Sequence, residues 1–147
     1  MKFTKLFAIL FAFATLTFTV TSCSSDDDEN TENNGGKVEE GVSELKDNGS
    51  VISYTYWESY AGIKMSVTLY FGYDKASGKV TSMKAEYESS NSQVIDAVYE
   101  EMKDDKDYAS VTKSGNKLTC VSKPEMYADM TTEQVRYGYE VLKKTRK

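Results

Sequence analysis

Four aromatic rings fall within the seven residues of "YTYWESY", at Tyr54, Tyr56, Trp57 and Tyr60, and they enclose one carboxylate, Glu58. In an extended strand Tyr54, Tyr56 and Tyr60 share one face and Trp57 lies on the other. One of these sets cannot face a core unless a further element covers the second face of the sheet. Exposed tyrosine and tryptophan rings offer large contact area at little rotamer cost, which suits the flat apolar faces of sugars or a partner protein. The expected ligand-binding set is therefore Tyr54, Tyr56, Trp57 and Tyr60, with Glu58 as a hydrogen-bond acceptor. The plainer account is that tyrosine favours strands and pairs across them.

Other chemistry is scarce. The chain contains no histidine, which removes Ser-His and Cys-His nucleophile pairs and every imidazole metal ligand. Its two cysteines are Cys23 and Cys120. In "KLTCVS", Cys120 shares a strand face with Leu118 and has no basic neighbour to lower its pKa, so it reads as an inert core thiol. The carboxylates Glu100, Glu101, Asp104, Asp105 and Asp107 cluster on a helix face and the loop after it. Glycosidase chemistry needs two carboxyls about 5–10 Å apart across a cleft, and a solvated surface accounts for these better. No phosphate-binding glycine loop or G-x-S-x-G nucleophile turn occurs. No catalytic residues, metal ligands or cofactor are expected, and the chain reads as non-enzymatic.

Cys23 is a different matter. Lys2 and Lys5 precede the apolar run "LFAILFAFATLTFTV", Leu6 to Val20. This is the order of a secretory signal, and the run is shorter than the roughly 20 residues of a spanning helix. It ends in Val20-Thr21-Ser22-Cys23, which resembles the lipobox of bacterial lipoproteins. The resemblance implies acylation of the Cys23 thiol and removal of residues 1–22. One myristoyl-length chain binds membranes only marginally, with K about 10⁴ M⁻¹, whereas two or three anchor stably. The following "CSSDDDEN" resembles the export signal of Bacteroidota surface lipoproteins; a solvated acidic spacer is the alternative. The resemblance implies an outer-membrane, lipid-anchored protein exposed at the cell surface, with the periplasmic face as the alternative.

Charge divides the chain the same way. The formal net charge is -5, yet residues 23–48 carry nine acids against two lysines and residues 49–147 carry fourteen of each. The neutral body offers no field for nucleic acid. Residues 23–48 are polar and nearly free of aliphatics, so they read as a disordered tether, with "VSELK", Val42 to Lys46, as one helical turn or an edge segment. Residues 49–147 suffice for a single domain.

The elements that must position the aromatics follow from hydrophobic period. "SVISYTYWESY" and "GIKMSVTLYFGY" read as strands joined by a short turn, the second alternating Ile63, Met65, Val67, Leu69 and Phe71 with Lys64, Ser66, Thr68 and Tyr70. "KVTSMKAEYE" adds a third strand, with Thr81, Met83, Ala85 and Tyr87 on one face. Ser90-x-x-Gln93 then reads as a capping box before Val94, Ile95, Val98 and Met102 at helical spacing. Two short strands surround Ser114-Gly115-Asn116. Thr131-x-x-Gln134 caps a last helix whose stripe is Val135, Tyr139 and Leu142. The expected fold class is α+β: an antiparallel sheet in the order βββ-α-ββ-α with helices packed on one face. That outline is similar to small uncharacterised lipoproteins of the YehR-like kind, a likeness that transfers no site residues.

Together these features suggest a non-catalytic, lipid-anchored envelope protein that binds a glycan or protein ligand. The alternative is a structural or accessory subunit of an envelope complex. Oligomeric state is left open.

Overall fold

The computed structural model describes residues 38–146. The signal segment, Cys23 and most of the acidic stretch lie outside the described residues. Strands are β1 (Glu39–Val42), β2 (Lys46–Asp47), β3 (Val51–Tyr60), β4 (Ile63–Tyr73), β5 (Val80–Ser89), β6 (Tyr108–Ser114) and β7 (Lys117–Ser122). Helix α1 spans Ser92–Met102, a 3-10 turn spans Pro124–Met126, and α2 spans Thr132–Thr145. The strands form one sheet in the order β1-β3-β4-β5-β7-β6, with β2 also paired to β3, and every pairing is antiparallel.

The chain is thus α+β, with two strands ahead of the expected order. Glu39–Val42 and Lys46–Asp47 pair along β3, so the folded body begins about ten residues before Gly49. Side chains on α2, and Arg146 just after it, hold this segment. The Tyr139 hydroxyl donates to the Ser43 carbonyl at 3.1 Å, Arg136 pairs with Asp47, and Arg146 pairs with Glu40. Composition alone conceals this, because the segment is secured by partners about 90 to 106 positions later in the chain.

Burial alternates along the central strands and defines one inner face. Tyr54, Leu69, Ala85 and Cys120 form a cross-strand row on it, and all four are buried. Tyr54 meets the Tyr139 ring of α2 at 5.2 Å, while Cys120 Sγ lies 3.9 Å from Met102 Sδ of α1. Both helices therefore cover the same face, α2 towards β1 and β3 and α1 towards β5, β6 and β7. Their buried stripes are Ile95, Val98 and Met102 on α1 and Val135, Tyr139 and Leu142 on α2.

Local devices fix the register. Ala61 and Gly62 both adopt positive φ, 49° and 80°, as a two-residue turn between strongly twisted strands requires. The register shifts at Gly72/Tyr73, which pairs Tyr73 with Val80 and Gly72 with Ser82. That bulge overturns the expectation for Thr81, which is exposed while Val80 takes the inner position. The first helix is capped by Asn91, which accepts from the Gln93 N–H, and not by Ser90. Ser90 instead accepts from the Lys64 N–H at 3.0 Å, tying the helix start to β4. The Thr131–Gln134 capping box forms in both directions.

Candidate functional site on the open sheet face

The structure divides the expected aromatic set. Tyr54 and Tyr56 are 5% and 4% exposed, so they are corrected from ligand contacts to core residues. Tyr54 stacks on Phe71 at 6.1 Å as well as meeting Tyr139. The Arg146 guanidinium lies 5.0 Å from the Tyr56 ring centroid. Burial raises the hydroxyl pKa of both well above the ordinary tyrosine value. The Tyr56 hydroxyl is buried with no hydrogen-bond partner among the described residues. Glu58 is also committed: it pairs with Arg146, which bridges it to Glu40 directly across β1 and β3. Without that cation, two like charges would stand opposite each other. Tyr60 is half-buried at the end of the hairpin. Only Trp57 remains on the outer face.

That outer face brings Trp57 together with residues the sequence reading did not single out. Thr55, Thr68, Glu86, Thr119 and Thr112 form a cross-strand row of four hydroxyls and one carboxylate. The Thr55 and Thr68 hydroxyls hydrogen-bond at 2.8 Å. Two residues along, Tyr70 faces Ser53 and Lys84. Each aromatic carries a cation: Lys64 Nζ lies 4.8 Å from the Trp57 ring and Lys84 Nζ lies 4.3 Å from the Tyr70 ring. The Tyr70 hydroxyl donates to Glu86 at 3.0 Å, and Lys84 donates to the same carboxylate at 2.9 Å.

The electrostatics follow from these contacts. The Lys84 hydrogen bond, with a smaller contribution from Tyr70, holds Glu86 below its ordinary pKa, so it stays charged near neutrality. Partial burial and then the Glu86 carboxylate raise the Tyr70 pKa, keeping its hydroxyl a donor. Trp57 and Tyr70 stand one strand apart and four residues offset in register, about 14 Å along the strand direction. One linear oligosaccharide can reach both rings, whereas a monosaccharide reaches one.

The signal for Tyr70 was present in "VTLYFGY", where it alternates with Leu69 and Phe71 and so shares the outward parity of Lys64, Ser66 and Thr68. What hid it was the density of aromatics in the preceding strand. Comparison with known protein families, with curated proteins and with solved structures returned no significant match.

Proposed function

We propose that this chain is a non-catalytic envelope protein, lipid-anchored through Cys23 and exposed at the outer surface of the outer membrane, that binds a glycan on its open sheet face. The observation that carries the reading is that Trp57 and Tyr70 share the outer face, which neither α1 nor α2 covers, with a hydroxyl row between and beside them. Planar rings take the apolar faces of sugars, and Thr55, Thr68, Lys84 and Glu86 supply donors and acceptors for ring hydroxyls. A protein-binding core would ordinarily be more apolar and poorer in charge than this face.

The alternative role, an accessory subunit docking through a helix, has Tyr137 and Val141 in its favour. They lie one turn apart on α2 and are 74% and 39% exposed. Glu133, Arg136, Glu140 and Lys144 surround them and are also exposed, so the apolar patch is confined to this pair. The sheet face is the stronger candidate.

The test is binding of the full chain to a panel of polysaccharides, with Tyr70→Ala and Trp57→Ala beside the parent. Each change should weaken binding about tenfold, the effect of losing roughly 1.4 kcal/mol at a stacking hot spot. Tyr137→Ala should leave it unaltered. If Tyr137→Ala reduces capture and Tyr70→Ala does not, the helix-docking role replaces this one.

A further inference from the structure

The two edges of the sheet are built differently. β1 has four residues and carries Glu39 and Glu40, a short charged edge of the kind that discourages strand addition. β6 forms the opposite edge and pairs only with β7. After the irregularity between Tyr108 and Ser110, it runs from Ser110 to Ser114 without proline or acid. Its outward-facing row is Ser110, Thr112 and Ser114, all exposed hydroxyls. Its one charge, Lys113, is on the helix side, paired with Asp96 and 5.7 Å from the Tyr99 ring.

The turn at Gly115–Asn116 sets which backbone groups are free. A two-residue hairpin makes its flanking residues a hydrogen-bonded pair, and bonding alternates from there. Ser114↔Lys117, Thr112↔Thr119 and Ser110↔Val121 are then the bonded pairs. The N–H and C=O of Val111 and Lys113 point away from β7, and no strand among the described residues meets them.

We propose that β6 is a self-pairing edge whose partner is β6 of a second copy of this chain, antiparallel about a two-fold axis at Thr112. In this register Val111 faces Lys113 of the other copy and the reverse, giving about four main-chain hydrogen bonds. Thr112 meets its own counterpart, and Ser110 meets Ser114, so hydroxyl stands opposite hydroxyl. No like charges face each other directly, and each Lys113 brings its own Asp96. The register also extends the hydroxyl row through Thr119 and Thr112 into the second copy, although the pairing does not depend on the glycan reading. A seam of two five-residue strands falls below the roughly 1,200 Å² of a stable complex, so the dimer is weak and chemical trapping is the suitable readout.

Thr112 Cα atoms across the seam would stand about 4.5 Å apart as a non-hydrogen-bonded pair, within the roughly 4.4–6.8 Å that a disulfide bridges. The full chain carrying Thr112→Cys, oxidised mildly and run without reductant, should give a reducible band of doubled mass beyond any formed by the parent through its own cysteines. Ser114→Cys should stay at the parent level, because its counterpart lies about 13 Å along the strand. The double change Ser110→Cys with Ser114→Cys should restore the dimer. A Thr112→Cys chain that remains at the parent level, or a Ser114→Cys chain that cross-links equally well, overturns the proposal.

Discussion

The Trp57 indole lies directly over the backbone of Gly41, its partner across β1 and β3, so that a Cβ at Gly41 would stand 2.8 Å from Cε2 and Cζ2 of the ring. The ring fills the space that the glycine leaves, covering an edge strand that has no side chain there to pack. Trp57 thus stabilises the segment that continues towards Cys23 while presenting its remaining surface beside Lys64.

Gly41→Ala should accordingly destabilise the fold by about 1–3 kcal/mol, the usual cost of forcing an extra carbon into a filled site. Thermal unfolding of the variant measures it. In a Trp57→Ala background the same change should cost much less, and an undiminished penalty there would show that the ring is not what the alanine meets.

At the adjacent pair of the same strands, Arg146 has a side chain only 8% exposed and bridges Glu40 and Glu58. Arg146→Ala leaves two facing carboxylates without their cation. Because both remain partly solvated, the loss should be roughly 1–3 kcal/mol, below the 3–5 of a fully buried pair. Arg146→Lys should recover only part of it: both carboxylates are met by the single Nη1, which an ammonium can replace, but the guanidinium plane over the Tyr56 ring is lost. Hydrogen exchange should localise the damage: amides of Glu39–Val42 lose protection first, while those of β4 and β5 do not.

How far the sequence reveals this architecture depends on the range of the forces involved. Alternation in "GIKMSVTLYFGY" and helical spacing at Val135, Tyr139 and Leu142 are local signals, and those elements lie where the period puts them. Asn91 displaces Ser90 as a cap because Ser90 is drawn to the backbone of β4, a tertiary contact that no local pattern contains. The β1 and β2 strands escape notice for the same reason: they pair with β3, but the side chains that secure them come from α2 and Arg146, about 90 to 106 positions away. For the candidate site, parity separates Trp57 from Tyr54 and Tyr56, but which face is covered depends on where the helices pack. Tyr139 and Met102 decide that, by meeting Tyr54 and Cys120.

The two helix caps give a paired test. Thr131→Ala removes the hydroxyl that accepts from Gln134 N–H, and Asn91→Ala removes the oxygen that accepts from Gln93 N–H at 2.9 Å. Each should cost about 1 kcal/mol. Ser90→Ala should leave the N-cap interaction of α1 intact and affect instead the join between β4 and the helix, so amide exchange should rise at Lys64. Equal loss of helix protection from Ser90→Ala and Asn91→Ala would return Ser90 to the capping role.

The buried hydroxyls and thiol make stability sensitive to alkali. Burial pushes the Cys120 thiol up from 9.0 to about 12 and raises the tyrosines Tyr54, Tyr56, Tyr87 and Tyr108 well above their ordinary 10.0. Between the unfolded and folded pKa values the unfolded chain has released protons that the folded one still holds. Unfolding is then favoured as pH rises, by up to about 1.4 kcal/mol per pH unit for each group. Stability contributed by these groups is complete below pH 9 and declines progressively above it, first through Cys120 and then through the tyrosines. Denaturant titrations at pH 8, 9.5 and 11 should show falling midpoints, and tyrosinate absorbance from the buried rings should appear together with loss of the folded signal. Cys120→Ala should flatten the decline between pH 9 and 10 at some cost in packing. A midpoint that holds steady to pH 11 would mean that these groups ionise in place, which a dry core of this kind does not permit.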